Sequence, residues 1–211
     1  MDRSVQIDTF TRFTQVSRET ITSLIKYENK LITANKKLNL IGNSTIDQIW
    51  IRHFLDSAQL IDLIDKNHKT LTDLGTGAGF PGLILSILAK DRKIPLKIQL
   101  IEKSPKKVLF LKDIINSFEL DAEVQEQNIL KSINKFNVDL IAARAFKPLK
   151  IILEFLNKKT VNWNKIFLFL GKTGQNELIQ ASKNWHIKYK QRMSVTSSDS
   201  LIITIKKIRK K

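Results

Sequence analysis

The sequence predicts an α/β fold: a mostly parallel, doubly wound sheet that ends in an antiparallel hairpin, with a helical extension ahead of it. Three observations carry this reading. A short run, Leu71 to Leu74, is followed within eight positions by four of the chain's 7 glycines, Gly75, Gly77, Gly79 and Gly82. From there to Leu170, short apolar runs alternate with helical patterns, the βαβ rhythm of a parallel sheet. Near the C-terminus two alternating segments, His186 to Gln191 and Leu201 to Lys206, are joined by the polar stretch Ser194 to Ser200 with no helical pattern between them. They read as an antiparallel pair at the sheet edge.

Taken in order, the chain opens with helix. Between Phe13 and Leu40 the apolar residues Phe13, Val16, Ile21, Leu24, Ile25, Leu31, Ile32 and Leu38 recur mostly three and four apart, which predicts one or two amphipathic helices. Asn39-Leu40-Ile41-Gly42-Asn43 reads as a turn. Ser44 or Thr45 would cap a next helix that carries Trp50-Ile51-Arg52-His53-Phe54-Leu55-Asp56-Ser57. There Arg52 and Asp56 stand four apart and His53 and Asp56 three apart, spacings that allow local pairing; the plainer reading is a packed helix with a few satisfied polar groups. Pro81 to Lys90 is the helix after the glycines, and Lys97 to Ile101 the second strand. Pro105 to Phe118 is a helix capped by Ser104, Ala122 to Gln125 the third strand and Asp139 to Ala143 the fourth. A helix after Phe146 breaks near Asn157, and Lys165 to Leu170, nearly all apolar, suits a sheet interior. The domain reading is residues 1–66 as a helical extension packed on the core and residues 67–211 as the cofactor-binding domain.

Chemistry enters at the glycine turn. Without a Cβ, Gly75, Gly77 and Gly79 can take positive φ and let a ligand approach the peptide planes. Pro81 suits the first turn of a helix, whose free N–H groups would point into the crevice at the strand's carboxyl end. Two cofactors fit. Gly77, Gly79 and Gly82 have the dinucleotide spacing G-x-G-x-x-G; Asp73, Gly75, Gly77 and Gly79 have the D-x-G-x-G-x-G spacing of S-adenosylmethionine (SAM) methyltransferases. Glu102, closing the second strand, can hold the ribose of either one. The late hairpin, the usual finish of the Rossmann-like class I SAM methyltransferase sheet, favours SAM.

Composition sets the outer limits. At 211 residues and 42% hydrophobic, the chain can bury one full α/β core. No run approaches the roughly 20 apolar residues of a membrane span, and Met1 to Phe10 has no secretory pattern. A cytoplasmic protein without membrane contact is expected. With Cys 0 there is no disulfide, thiolate zinc site or cysteine-held cluster, and methyltransferases that use a cysteine nucleophile are excluded together with radical SAM enzymes. His53, His68 and His186 are scattered, so no metal centre is expected. A net charge of +16 points to a polyanion partner, although a bias to Lys, Ile and Asn runs through the whole chain.

Several motifs stand in one order along the chain: Asn39-Leu40, Arg52-His53-x-Leu55-Asp56-Ser57, Asp73-x-Gly75-x-Gly77-x-Gly79-Phe80-Pro81-Gly82, Glu102-Lys103-x-x-Lys106-Lys107-x-x-Phe110-Leu111, and Arg144-Ala145-Phe146. In this combination the sequence resembles the RsmG (GidB) family of bacterial small-subunit rRNA guanine-N7 methyltransferases. The resemblance implies methyl transfer from SAM to N7 of a guanine in 16S rRNA, with the rRNA or the small ribosomal subunit as partner. It also implies site residues. Gly75 and Phe80 would lie along the methionine side of the cofactor with Gly77 in the same turn, Glu102 on the ribose, Ile129 and Leu130 beside the adenine, and Arg144 at the reacting end. Leu170-Gly171 stands where the family usually has Lys-Gly, and Ile41 follows Asn39-Leu40 where Thr is common. No substrate role is assigned to those positions.

Guanine N7 carries a free lone pair and needs no general base, and in-line transfer from a sulfonium rests on positioning. Where amino-methylating enzymes place Asn-Pro-Pro-Tyr, this chain has Ala143-Arg144-Ala145-Phe146, which argues against an exocyclic amine as acceptor. Arg144 can oppose phosphate, guanine or the cofactor carboxylate, or it can make a structural salt bridge to Asp139 or Asp73. Lys103 with Lys106 and Lys107, Arg92 with Lys93, and Lys147 with Lys150 are candidates for a phosphate rim; each is equally an ordinary solvated face, as is the tail Lys206 to Lys211. Two other functions fit the fold: a SAM-dependent methyltransferase of a small molecule or protein, and a nicotinamide-dependent reductase. The reductase lacks a Tyr/Lys hydride site, since Tyr27 and Tyr189 are placed outside the crevice. With no long apolar surface stripe left over, a monomer is expected.

Overall fold

In the computed structural model, which describes residues 1–131 and 137–211, the run before the glycines forms strand β1 (Thr70–Leu74). One sheet contains it together with β2 (Lys97–Glu102), β3 (Ala122–Glu126), β4 (Leu140–Arg144), β5 (Lys165–Leu170), β6 (Trp185–Ser194) and β7 (Ser197–Lys210), in the order β3-β2-β1-β4-β5-β7-β6. The first five strands are parallel; β7 runs antiparallel to β5, and β6 antiparallel to β7. Chain order reverses between β1 and β4, and ligands of open α/β sheets bind outside the strand ends at such a point.

Helices cover both faces, which is why the inner strands are apolar on alternate and intervening positions alike. On one face Leu71, Ile98, Leu100 and Leu140 pack against α4 (Gly82–Asp91), α5 (Pro105–Phe118) and the N-terminal helices α1 (Arg3–Thr14) and α2 (Arg18–Leu38). On the other, Leu74, Ile141, Ile166 and Leu168 pack against α6 (Leu149–Lys159) and α7 (Gly174–Ser182). No helix among the described residues is long and apolar enough to cross a membrane.

Of the one or two helices expected around Phe13 to Leu40 the structure has two: Gln15 turns left-handed at φ 53° and Ser17 caps α2 by accepting from Thr20 N–H at 3.2 Å. The structure departs from expectation at three places. The next segment is not capped by Ser44 or Thr45, since the 3-10 turn Asn43–Gln48 begins after Gly42 and leads into a π-helix, Trp50–Leu55, and the short α3 (Asp56–Ala58). Helix α7 was not anticipated, because only Gly174, Leu178 and Ala181 of it are buried and its period is faint. The stretch Ser194 to Ser200 is mostly strand: β6 and β7 meet at Val195-Thr196, and β7 takes in most of the basic tail. On an edge hairpin with one face in water, ladder hydrogen bonds form without apolar residues.

Candidate active site

The turn between β1 and α4 depends on missing side chains. Gly75, Gly77 and Gly79 have φ of 68°, 61° and 102°, where a Cβ is strained. A Cβ on Gly75 would lie 2.4 Å from the Phe146 ring, and one on Gly82 would lie 2.3 Å from Leu100. At Gly77 the nearest atom would be 3.9 Å away, so this glycine faces open space. Behind the turn Asp73 is fully buried, and its Oδ2 accepts from the Thr76 hydroxyl at 2.6 Å and from Gly82 N–H at 2.8 Å. Burial pushes this carboxyl up to about 6, against the pull of those two hydrogen bonds. Pro81 stands at the cap position of α4, and Leu83 N–H bonds the Gly79 carbonyl at 2.8 Å. The leading amides of α4 are thus taken by the protein itself, not aimed into the crevice as the sequence suggested. Tyr27 from α2 donates to the Ala78 carbonyl at 2.5 Å and stacks on Phe54. It is fully buried and supports the turn from behind.

In front of the turn lies a cleft of about 510 Å³, lined by Gly75, Gly77, Phe80, Glu102, Ile129, Leu130 and Arg144. All seven residues singled out in the sequence therefore meet around one space. Glu102 is nearly buried; its Oε2 accepts from Gly77 N–H at 3.1 Å, and its Oε1 from Lys103 and Ser104 N–H at 2.8 and 2.9 Å. Three amides fix this carboxylate between two strand ends. Ile129 and Leu130 enter from a 3-10 turn after β3. Of the basic rim candidates, Lys103, Lys107 and Lys147 line the cleft, whereas Lys106 and Lys150 do not. Arg92 sits at the far end of α4, paired with Asp62 at 2.6 Å and donating to the Thr14 carbonyl at 3.1 Å, so it braces the N-terminal helices.

Arg144, at the end of β4, gathers the other side of the cleft. Its Nε pairs with Asp56 Oδ2 at 3.1 Å, Nη1 donates to His53 Nδ1 at 3.2 Å, and Nη2 donates to the Arg52 carbonyl at 2.5 Å. The structural salt bridge is therefore to Asp56, and Asp139 is occupied by the N–H groups of Lys69 and Thr70. His53 and Asp56 do not pair with each other, nor Arg52 with Asp56; the π-helical turn departs from the α-helical register on which those pairings rest. His53 stacks on Phe80 with ring centroids 5.1 Å apart. With Nδ1 accepting from Arg144, the ring proton is assigned to Nε2, which donates to the Thr45 hydroxyl at 2.8 Å. Thr45 in turn donates to the Gly42 carbonyl at 2.7 Å. Burial, then the charges of Arg144 and Arg52, lower the imidazole pKa to about 3, so it is neutral at pH 7. Asp56 Oδ1 accepts from the Ser194 hydroxyl at 2.7 Å, Gln59 Nε2 at 2.9 Å and the Thr196 hydroxyl at 3.0 Å. A continuous set of contacts thus joins the segment after α2, the end of β4 and the β6–β7 turn.

The family model described as rRNA small subunit methyltransferase G, GidB, matches residues 20–203. The chain belongs to this family. The ribosomal RNA small subunit methyltransferase G of Pelagibacter ubique is 38% identical over 198 residues, covering 93% of this chain and 92% of its own length. That of Bartonella tribocorum is 35% identical over 199 residues, with 92% and 91% covered. Among solved structures the fold is similar to M. capricolum TrmK in complex with S-adenosyl-homocysteine, at TM-score 0.54 and 19% identity over 72% of this chain and 67% of that one. It is also similar to the 16S rRNA methylase RmtB, at TM-score 0.56 and 15% identity over 91% and 76%. For this GidB family member, sequence reasoning missed His53, Thr45, Asp56 and Ser194 as part of the cleft's framework. The packed-helix reading of residues 50–57 set aside a dense string of polar groups in an apolar segment, and the motif Arg52-His53-x-Leu55-Asp56-Ser57 was given no role in the site. Its partner Arg144 lies 91 residues beyond His53, out of reach of any local spacing rule.

Proposed function

We propose that this chain transfers the methyl group of SAM to N7 of a guanine in 16S rRNA of the small ribosomal subunit. The observation that carries this reading is a cleft with a glycine turn and a fixed carboxylate on one side, an arginine on the other, and no free base between them. Among the described lining residues the proton acceptors are Glu102, held by three amide N–H groups, and His53, whose Nδ1 lone pair is engaged by Arg144. Such a site suits an acceptor nitrogen that is already unprotonated; an amine or hydroxyl acceptor would need a proton taken away.

SAM fits the residues present. Gly75 and Gly77 offer bare backbone, Glu102 stands beside the turn for the ribose hydroxyls, Ile129 and Leu130 provide an apolar wall for the adenine, and Phe80 with Arg144 mark the methionine end. Bound there, SAM supplies an electrophilic methyl group on a sulfonium. The chain's own task is to hold the acceptor in line. Three of the five N–H donors of Arg144 are used by Asp56, His53 and the Arg52 carbonyl, leaving two for the acceptor or the cofactor carboxylate. Lys103, Lys107 and Lys147 give the mouth a cationic rim for phosphate. In the same reading, residues 67–211 form the SAM-binding domain and residues 1–66 a helical extension packed on it.

The test is to incubate the protein with methyl-labelled SAM and, separately, naked 16S rRNA, intact small subunits and DNA, then map the labelled base. Label on one guanine N7 of the small-subunit RNA is the expected result. SAM binding with no RNA labelled would move the reading to a small-molecule or protein methyltransferase, and no SAM binding would remove the cofactor assignment.

A further inference from the structure

The outer hairpin of the sheet carries a basic face that the cleft does not use. Along β6, His186, Lys188, Lys190 and Arg192 alternate with residues of the opposite face. Across the ladder His186 stands opposite Arg209, and Lys188 opposite Lys207. The other face buries Trp185, Ile203 and Ile205 against α6 and α7. His186, Lys188, Lys207 and Arg209 are instead exposed around one shallow depression of about 430 Å³. Beside it Lys165, Lys190, Arg192 and Lys206 line a groove whose acids, Asp62 and Asp65, are already paired with Arg92 and Lys165. The ion pair at this end of the hairpin, Lys210 with Glu154 at 3.0 Å, lies on the opposite face, where Lys210 also covers the Trp185 ring. Like charges directly opposite on a ladder destabilise it, and no carboxylate among the described residues pairs with Lys188, Lys207 or Arg209. From Arg192, near the cleft's Ser194 contact, to His186 at the far end of the sheet, the stripe is about 20 Å long at ~3.3 Å per residue.

We propose that this face is a second RNA-binding surface, gripping the phosphates of RNA that flanks the target guanine while the cleft holds the guanine itself. The inference rests on the rRNA methyltransferase function proposed above and adds a seat for the remote part of that substrate. Phosphates placed between the opposed cations relieve the repulsion the bare hairpin carries, and the continuity of the stripe toward the cleft lets one RNA occupy both.

The full chain is titrated with 16S rRNA across a salt series, and with a short RNA hairpin that holds only the target loop. The triple variant Lys188→Ala, Lys207→Ala, Arg209→Ala is expected to bind 16S rRNA at least about tenfold more weakly, with the slope of log K against log salt reduced by roughly 2. SAM affinity and binding of the short hairpin should be unchanged, and the thermal midpoint equal or higher, because repulsion has been removed. The double variant Lys188→Arg, Lys207→Arg should retain the wild-type affinity. A stabilised variant with unaltered RNA affinity and salt slope would overturn the proposal, and so would a loss of SAM affinity or thermal stability in step with RNA binding. Failure of the wild-type chain itself to bind or methylate any form of the RNA would overturn the function above and this surface with it, a result distinct from any difference between variants.

Discussion

At the scale of single residues, Arg144 and Asp56 are a nearly buried ion pair, with side chains 18% and 10% exposed. Asp56→Asn leaves an amide where Arg144 Nε needs an acceptor, and breaking one partner of such a pair costs about 3 kcal/mol. A thermal melt should register that loss, and turnover should fall at least about tenfold while SAM affinity, read by calorimetry, is retained. Arg144→Lys keeps the charge but cannot reach Asp56, His53 and the Arg52 carbonyl from one planar group. Methylation is expected to fall by about 10² or more with a smaller change in melting, and equal losses in both would reduce Arg144 to a structural brace. Arg144 was legible in the sequence because it ends a strand beside the glycine turn. Its partners were not, because ion pairs across a fold leave no periodicity to read.

Among the elements, the β1–α4 turn separates two kinds of glycine. Gly75→Ala drives a methyl into the Phe146 ring and Gly77→Ala meets only backbone strain, of about 1 kcal/mol or a little more. SAM titrations should therefore show a large loss for Gly75→Ala, partly recovered by adding Phe146→Ala, and a smaller loss for Gly77→Ala. Tyr27→Phe strands the nearly buried carbonyl of Ala78, which costs roughly 1–3 kcal/mol, and urea melts would detect it. The strands, the glycine turn and the terminal hairpin were legible because each is written in a local period or a local cluster. The π-helical Trp50–Leu55 and the strand around Ser197–Ser200 were not. One departs from the α-helical register that spacing rules assume, the other rests on edge pairing that polar residues satisfy as well as apolar ones.

Over the whole molecule, two buried groups give opposite responses to acid. His53 takes a proton near 6.5 when unfolded but only near 3 when folded. Its contribution to stability is therefore complete above pH 6.5 and is lost as pH falls toward 3. Asp73 holds its proton to about 6 when folded and to 3.8 when unfolded, so it favours the folded state progressively as pH falls from 6 to 3.8. Between pH 4 and 6 the two oppose each other. Melting temperatures measured over that range should, relative to wild type, rise with acid in His53→Gln and fall with acid in Asp73→Asn; parallel curves would show that neither group titrates as described. Charge was legible as a total of +16 and as clusters along the chain, of which Lys103, Lys107 and Lys147 line the cleft. Its division between the cleft mouth and the outer hairpin depends on the antiparallel register of β6 and β7, which composition does not contain.

The framework that aims Arg144 uses Asp56 from early in the chain and Ser194 and Thr196 from the β6–β7 turn. During synthesis the early group leaves the ribosomal exit tunnel long before the late ones. Until that hairpin has emerged and folded back, Asp56 lacks its hydroxyl partners and β5 lacks its neighbour β7. A nascent chain arrested at Lys183 is expected to show no methylation of the ribosome that carries it, whereas the same chain extended through Lys211 and released should be active.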